Sequence, residues 1–133
     1  QAGLAEALQS RLDAVEKRAG VDAQLRLDLD ADLPAEAENA LYRIAQETLN
    51  NALKHAEATK ISVFLRSTEQ EAQMEIIDNG KGFEAEQLQD HGGMGLVSIQ
   101  ERIEALHGTW AITSKPGEGT RIAVHVPLKP KVG

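Results

Sequence analysis

The chain has 133 residues, 41% hydrophobic and 26% charged, enough for one domain with one core of ordinary soluble composition. A net charge of −7 argues against a general nucleic-acid surface, which needs clustered Lys and Arg to replace counterions. The lack of cysteine excludes disulfides, zinc thiolates and a thiol nucleophile, and no apolar run reaches the ~18 residues of a membrane span.

Aromatic residues make up only 3%, so the core is expected to be aliphatic. The chain opens in a helical pattern, Gln1 to Arg18, with no initiator Met and no signal-peptide pattern, and reads as a piece of a longer protein. Leu4, Leu8, Leu12 and Val15 recur at helical spacing, with Gly20 as the stop. Leu25 to Asp30 alternates with period two and predicts a strand. Pro34 can open a long helix, because its missing N–H is not needed in the first turn. That helix runs to about His55, with Leu41, Ile44, Thr48 and Ala52 as its core stripe. Ile61 to Arg66 and Gln73 to Asp78 predict a hairpin around a polar turn at Thr68 to Glu71. Residues 79–93 hold no sustained period and form the one long loop, a length that tends to be functional. A helix follows from about Gly95 to His107, stopped by Gly108. Trp110 to Ser114 and Thr120 to Val126 predict two last strands around a turn at Lys115-Pro116-Gly117. The expected fold is an α/β (α+β) two-layer sandwich, a mixed and mainly antiparallel sheet covered on one face by about three helices.

Chemistry-bearing residues gather in two places. Glu47, Asn51, Lys54 and His55 share one face of the long helix. A carboxamide oxygen suits Mg²⁺, which takes hard oxygen ligands and keeps waters and phosphate oxygens around it. Lys54 can meet phosphate charge, and Glu47 can orient or deprotonate a water. The competing reading is a solvated face with a Glu47–Asn51–Lys54 surface network. The second place is glycine-rich. Asp78 ends a strand and enters Asn79-Gly80-Lys81-Gly82-Phe83, where glycines allow positive φ and close backbone approach. A carboxylate there can accept a hydrogen bond from an amino group such as the N6 of adenine. The alternative is an ordinary Asn-Gly turn. Gly92-Gly93-Met94-Gly95-Leu96 leads into a helix start, where free N–H groups and the helix dipole favour phosphate. The alternative is a glycine-rich loop that merely precedes a helix. Of the four histidines, His91, His107 and His125 read as a loop residue, a helix-end cap and an outward-facing strand residue.

In this order, these stretches resemble the ATP-binding domain of the GHKL superfamily, the Bergerat fold, and more narrowly the catalytic domain of a two-component sensor histidine kinase. Tyr42 to Ala56, with Gln46-Glu47, Asn50-Asn51 and Lys54-His55-Ala56, resembles the N box of the nitrate-sensor and membrane-fluidity-sensor subfamily. Asp78 to Phe83 resembles the first glycine box, Gly93-Met94-Gly95-Leu96 the second, and Gly117-Glu118-Gly119-Thr120 the final Gly-Thr motif. The resemblance covers about residues 20–128.

The resemblance implies that Asn51 binds Mg²⁺ and that Asp78 holds the adenine amino group. Glu47 takes the general-base position of the hydrolytic members, and Lys54 and His55 lie near the phosphates. Gly80 and Gly82 shape the adenine pocket, Gly93, Gly95 and Leu96 border the phosphates, Thr120 lies near adenine, and residues 84–92 form a short lid. It further implies ATP and Mg²⁺ as cofactors and transfer of the γ-phosphate to a histidine on a dimerisation helix. None of the four histidines here has the acceptor setting, so that helix is expected upstream. Residues 1–19 then read as a junction with it, 20–128 as the catalytic domain and 129–133 as a tail. The expected partners are that histidine-phosphotransfer domain and a response regulator. The parent is expected to be a homodimer and membrane-bound with this domain in the cytoplasm, and the isolated domain a monomer. The rival readings are an anti-sigma-type serine kinase, another GHKL ATPase fragment, or an inert domain that only binds nucleotide or a partner.

Overall fold

The computed structural model describes residues 3–54, 57–82 and 96–128. The described elements are, in chain order, α1 (Leu4–Ala19), β1 (Asp22–Leu29), α2 (Ala35–Lys54), β2 (Lys60–Ser67), β3 (Glu71–Asp78), α3 (Leu96–Ala105), β4 (Thr109–Lys115) and β5 (Gly119–Pro127). The element order agrees with the expected one.

Helix α1 buries Leu4, Leu8, Leu12 and Val15, the residues its periodicity marks. Gly20 ends it in the left-handed region at φ 67°, its N–H bonded to the Glu16 carbonyl at 3.0 Å. Helix α2 follows the apolar stripe Leu41, Ile44, Thr48 and Ala52, all buried. Thr48 sits inside that stripe because its hydroxyl donates to the Ile44 carbonyl at 2.8 Å. Pro34 lies one residue before the helix rather than in its first turn. Its carbonyl accepts the Glu38 N–H at 3.0 Å, so it serves as the residue that caps the start.

The strands form one sheet in the order β1-β2-β3-β5-β4. β2, β3, β5 and β4 pair antiparallel, while β1 pairs parallel to β2. A parallel pair needs a crossover, and α2 supplies it. Alternate residues of the inner strands, such as Ile61, Val63, Met74, Ile76, Ile122 and Val124, are buried under the helices. The core is aliphatic among the described residues, with Tyr42 and Trp110 packed only partly against it. Leu4, Leu8, Leu12 and Val15 of α1 pack into this same core.

The other face of the sheet is polar. Arg26 lies over the Phe64 ring at 5.9 Å, Arg121 pairs with Glu75, and His125 meets Glu71 at 2.6 Å. His125 thus points away from the helices, as its strand pattern predicts. Helix α3 ends at Ala105, and the turn after it takes the left-handed conformation at His107, φ 59°, one residue before the expected stop at Gly108. Gly108 follows because a Cβ there would stand 2.5 Å from the His125 carbonyl oxygen.

Candidate functional site

Asp78 is the last residue of β3, the central strand of the sheet, with Ile61 on one side and Thr120 on the other. That position buries it to 6% exposure. The Gly80 N–H donates to its carboxylate at 2.8 Å. Burial pushes its pKa up. Backbone hydrogen bonds from Gly80 and Thr120 pull it down, but less strongly, and the carboxyl stays above its ordinary value. Thr120 is buried beside it, and its hydroxyl lies 2.8 Å from that of Ser114, which in turn donates to the Gly119 carbonyl at 3.2 Å.

The glycines around Asp78 hold backbone against backbone. Gly82 has φ 70°, and a Cβ there would lie 2.0 Å from the Lys115 carbonyl oxygen. Gly119 has φ 82°, and a Cβ there would lie 2.2 Å from the Asp78 carbonyl oxygen. The Gly117 N–H closes the contact by donating to the Lys81 carbonyl. The first glycine stretch and the β4–β5 turn are therefore interlocked, and Asp78 sits inside the joint. Gly80 is buried and uses its N–H on Asp78.

Helix α2 reaches the same end of the sheet with its C-terminal half, because its chain re-enters the sheet at Lys60, next to Ile61, the partner of Asp78. Its polar face is graded in depth. Glu47 is half-buried, Asn51 is 9% exposed and Lys54 is exposed. A carboxamide at that depth does not fit a merely wetted helix face. Leu96 is buried in the core at the start of α3. His55, Gly93, Gly95 and the expected lid, 84–92, lie outside the described residues, as does the tail, 129–133.

Two residues of the site carry roles that the sequence reading missed. Ser114, read only as the end of a strand, holds the Thr120 hydroxyl. Asn79, read only as half of a turn, ties the glycine stretch to the start of β2 through its side chain. A cavity of about 720 Å³ lies elsewhere, lined by Leu4, Leu29, Leu33, Leu65 and Glu38 among others. It is at the opposite end of the sheet, where β1 and β2 finish and α2 begins. Size does not make it the better candidate, since the buried carboxylate and carboxamide are at the other end. Among the described residues no group of three or more His, Cys, Asp or Glu could hold a metal, and no helix is long and apolar enough to cross a membrane.

The helix-covered sheet itself is a fold shared with solved kinase structures. The chain superposes on the histidine kinase domain of the Erythrobacter litoralis EL346 blue-light activated histidine kinase with a TM-score of 0.74, at 23% identity, covering 95% of this chain and 61% of that one. The ATP-binding domain of PrrB from Mycobacterium tuberculosis gives 0.72 at 21% identity and covers 96% of both chains. These likenesses establish the fold.

Sequence establishes the family. The profile described as histidine kinase-, DNA gyrase B-, and HSP90-like ATPase matches residues 36–130, and the chain belongs to that family. It is 35% identical over 129 residues to the sensor histidine kinase LiaS of Bacillus subtilis (strain 168), covering 97% of this chain and 35% of LiaS. It is 42% identical over 101 residues to the signal transduction histidine-protein kinase/phosphatase DegS of the same organism, covering 74% of this chain and 26% of DegS. The chain thus spans about a third or less of the length of these relatives.

Proposed function

We propose that this chain is the catalytic ATP-binding domain of a two-component sensor histidine kinase of the nitrate-sensor and membrane-fluidity-sensor type. One observation carries the reading: a buried carboxylate, Asp78, and a buried carboxamide, Asn51, stand on elements that end at the same edge of the sheet. The first suits an amino group of a purine, and the second suits a hard cation. The kinase names of the relatives favour this reading over a serine kinase or a hydrolase fragment.

ATP is the substrate. Asp78 accepts a hydrogen bond from the adenine amino group, and Thr120 stands beside it, its hydroxyl fixed by Ser114. Gly80 and Gly82 shape that pocket. Lys54 and His55 meet phosphate charge, and Gly93, Gly95 and Leu96 border the phosphates. The donor set fits Mg²⁺: a single carboxamide oxygen suffices for an ion that takes its other ligands from phosphate and water. Asn51 would hold it, Glu47 would orient a bound water, and the ion supplies neutralisation of the triphosphate charge. The bond from the γ-phosphorus to the bridging oxygen breaks as a bond to an imidazole nitrogen forms, ADP leaves, and the imidazole proton passes to solvent. The protein's share is positioning and electrostatics.

The imidazole belongs to a dimerisation helix of the parent, and residues 1–19 are the junction with it. The parent works as a membrane-bound homodimer that passes the phosphoryl group to a response regulator, with this domain in the cytoplasm. The domain alone is a monomer that binds nucleotide and does not phosphorylate itself.

Calorimetric titration tests this. ATP with Mg²⁺ binds the unaltered chain. Asn51→Ala weakens the Mg²⁺-dependent affinity by about tenfold, and Asp78→Ala weakens ADP binding by a similar factor of about ten with metal chelated. A folded chain that ignores adenine nucleotides at millimolar concentration overturns the reading.

A further inference from the structure

We propose that Asn79 is a positioning residue: it fastens the C-terminal end of α2 to the loop that follows Asp78, and so sets the distance between the metal-binding and purine-binding halves of the site. The inference rests on the function proposed above.

The Asn79 Oδ1 accepts the backbone N–H groups of Thr59 and Lys60, each at 2.9 Å. Its Nδ2 donates to the Thr59 hydroxyl at 2.9 Å. The orientation of the amide follows from its partners, since two backbone N–H groups can face only the oxygen. Its own N–H donates to the Lys60 carbonyl at 3.2 Å. The side chain therefore spends its bonding capacity on two consecutive residues, the last of the α2–β2 connection and the first of β2.

That connection leads straight back to the helix. Ala58, buried, donates its N–H to the Ala52 carbonyl at 3.0 Å, one residue beyond Asn51. Glu57, just before Ala58, holds a left-handed conformation at φ 54°. The path from Asn79 to Thr59 and Lys60, then Ala58, then Ala52 has no long side chain in it. On the other side, Asp78 is held independently, by its pairing with Ile61 and Thr120. Removing the Asn79 side chain thus leaves the purine acid in place and loosens the segment that follows α2, which keeps backbone ties such as the Asp22 N–H to the Thr59 carbonyl at 2.9 Å.

Asn79 is exposed, and the N–H groups it binds are near solvent, so water can replace it with little loss of stability. What is lost is alignment. A site whose binding-competent arrangement is only partly populated shows an affinity lowered by that fraction.

The test is calorimetry on this chain with two ligands: ATP with Mg²⁺, and ADP with the metal chelated. Asn79→Ala is expected to weaken the first by about tenfold and the second by less than about twofold, the factor corresponding to a competent fraction of about one in ten. Thr59→Val removes only the Nδ2 bond and is expected to shift the same way, by about threefold or less. In the Asn51→Ala background, Asn79→Ala is expected to change the Mg²⁺-dependent affinity by less than about twofold, because the group it positions is gone. An equal loss for both ligands, additive losses with Asn51→Ala, or no loss in either variant overturns the inference. If the unaltered chain binds neither ligand, it is the proposed function that fails.

Discussion

Asp78 shows how one residue's place in the sheet decides its chemistry. Burial holds its carboxyl above the ordinary value of 3.8, against the pull of two backbone N–H groups. The folded state therefore keeps the proton to higher pH than the unfolded chain. As pH rises from 3.8 through the raised pKa, the unfolded chain binds fewer protons than the folded one, and stability falls. Asp78→Asn removes the titration while keeping an acceptor for Gly80. The stability of the native chain relative to the variant, followed as a melting-temperature difference across that window, is expected to decline with rising pH. A difference that rises with pH would contradict the burial argument. If Asp78 holds the purine as proposed, a carboxylate accepts that hydrogen bond more strongly than a protonated carboxyl, so adenine nucleotide affinity is expected to drop when acidification protonates Asp78. The identity of this residue was legible from the sequence, because an acid before Asn-Gly-Lys-Gly at a strand end is a local pattern. Its depth was not, since it depends on β5 and β2 flanking it. The same holds for Asn51, whose spacing shows the helical face but not how far that face sinks. Asn79 and Ser114 were illegible as site residues because their partners, Thr59 and Thr120, meet them only through strand pairing.

At the scale of elements, the local signals read well and the joints between elements did not. Helix α1, its Gly20 stop, the β2–β3 hairpin and the β4–β5 turn all follow from periodicity and turn chemistry. The interlock of the first glycine stretch with the β4–β5 turn does not, because the two are distant in sequence. The glycines there look like concessions to a ligand, whereas two of them make room for protein backbone. Gly82 and Gly117 separate the effects. Both have positive φ, but a Cβ at Gly117 meets nothing within 4 Å, while one at Gly82 meets the Lys115 carbonyl carbon and oxygen. Gly117→Ala is expected to cost about 1 kcal/mol from backbone strain alone. Gly82→Ala is expected to cost more, roughly 2–4 kcal/mol, because the turn must also move. Urea unfolding of the two variants measures the difference, and equal losses would mean that the joint is slack. Since Asp78 lies inside the joint, Gly82→Ala is also expected to weaken ADP binding, which Gly117→Ala leaves nearly unchanged.

Across the whole molecule, α2 spans the sheet from one end to the other. Its N-terminal end borders the large cavity near Leu29 and Leu65, and its C-terminal end carries Asn51 and Lys54 toward the edge where Asp78 sits. Two candidate sites thus lie at opposite ends of one rigid helix, and they differ in kind. The cavity is open and lined by aliphatic groups with acidic neighbours such as Asp30 and Asp32, which repel a triphosphate. The other end offers a buried acid, a buried amide and a set of interlocked backbones. If the second is the nucleotide site, ligand binding stabilises the fold from that end. At a hundredfold excess over Kd the gain is about 2.7 kcal/mol. Amide hydrogen exchange with and without ADP and Mg²⁺ locates where it acts. Added protection is expected in the second half of α2, at residues 78–82 and at 119–120, with little change at residues 29–33. Protection centred on the cavity residues would move the nucleotide to the other end of the helix and leave Asp78 as a structural acid.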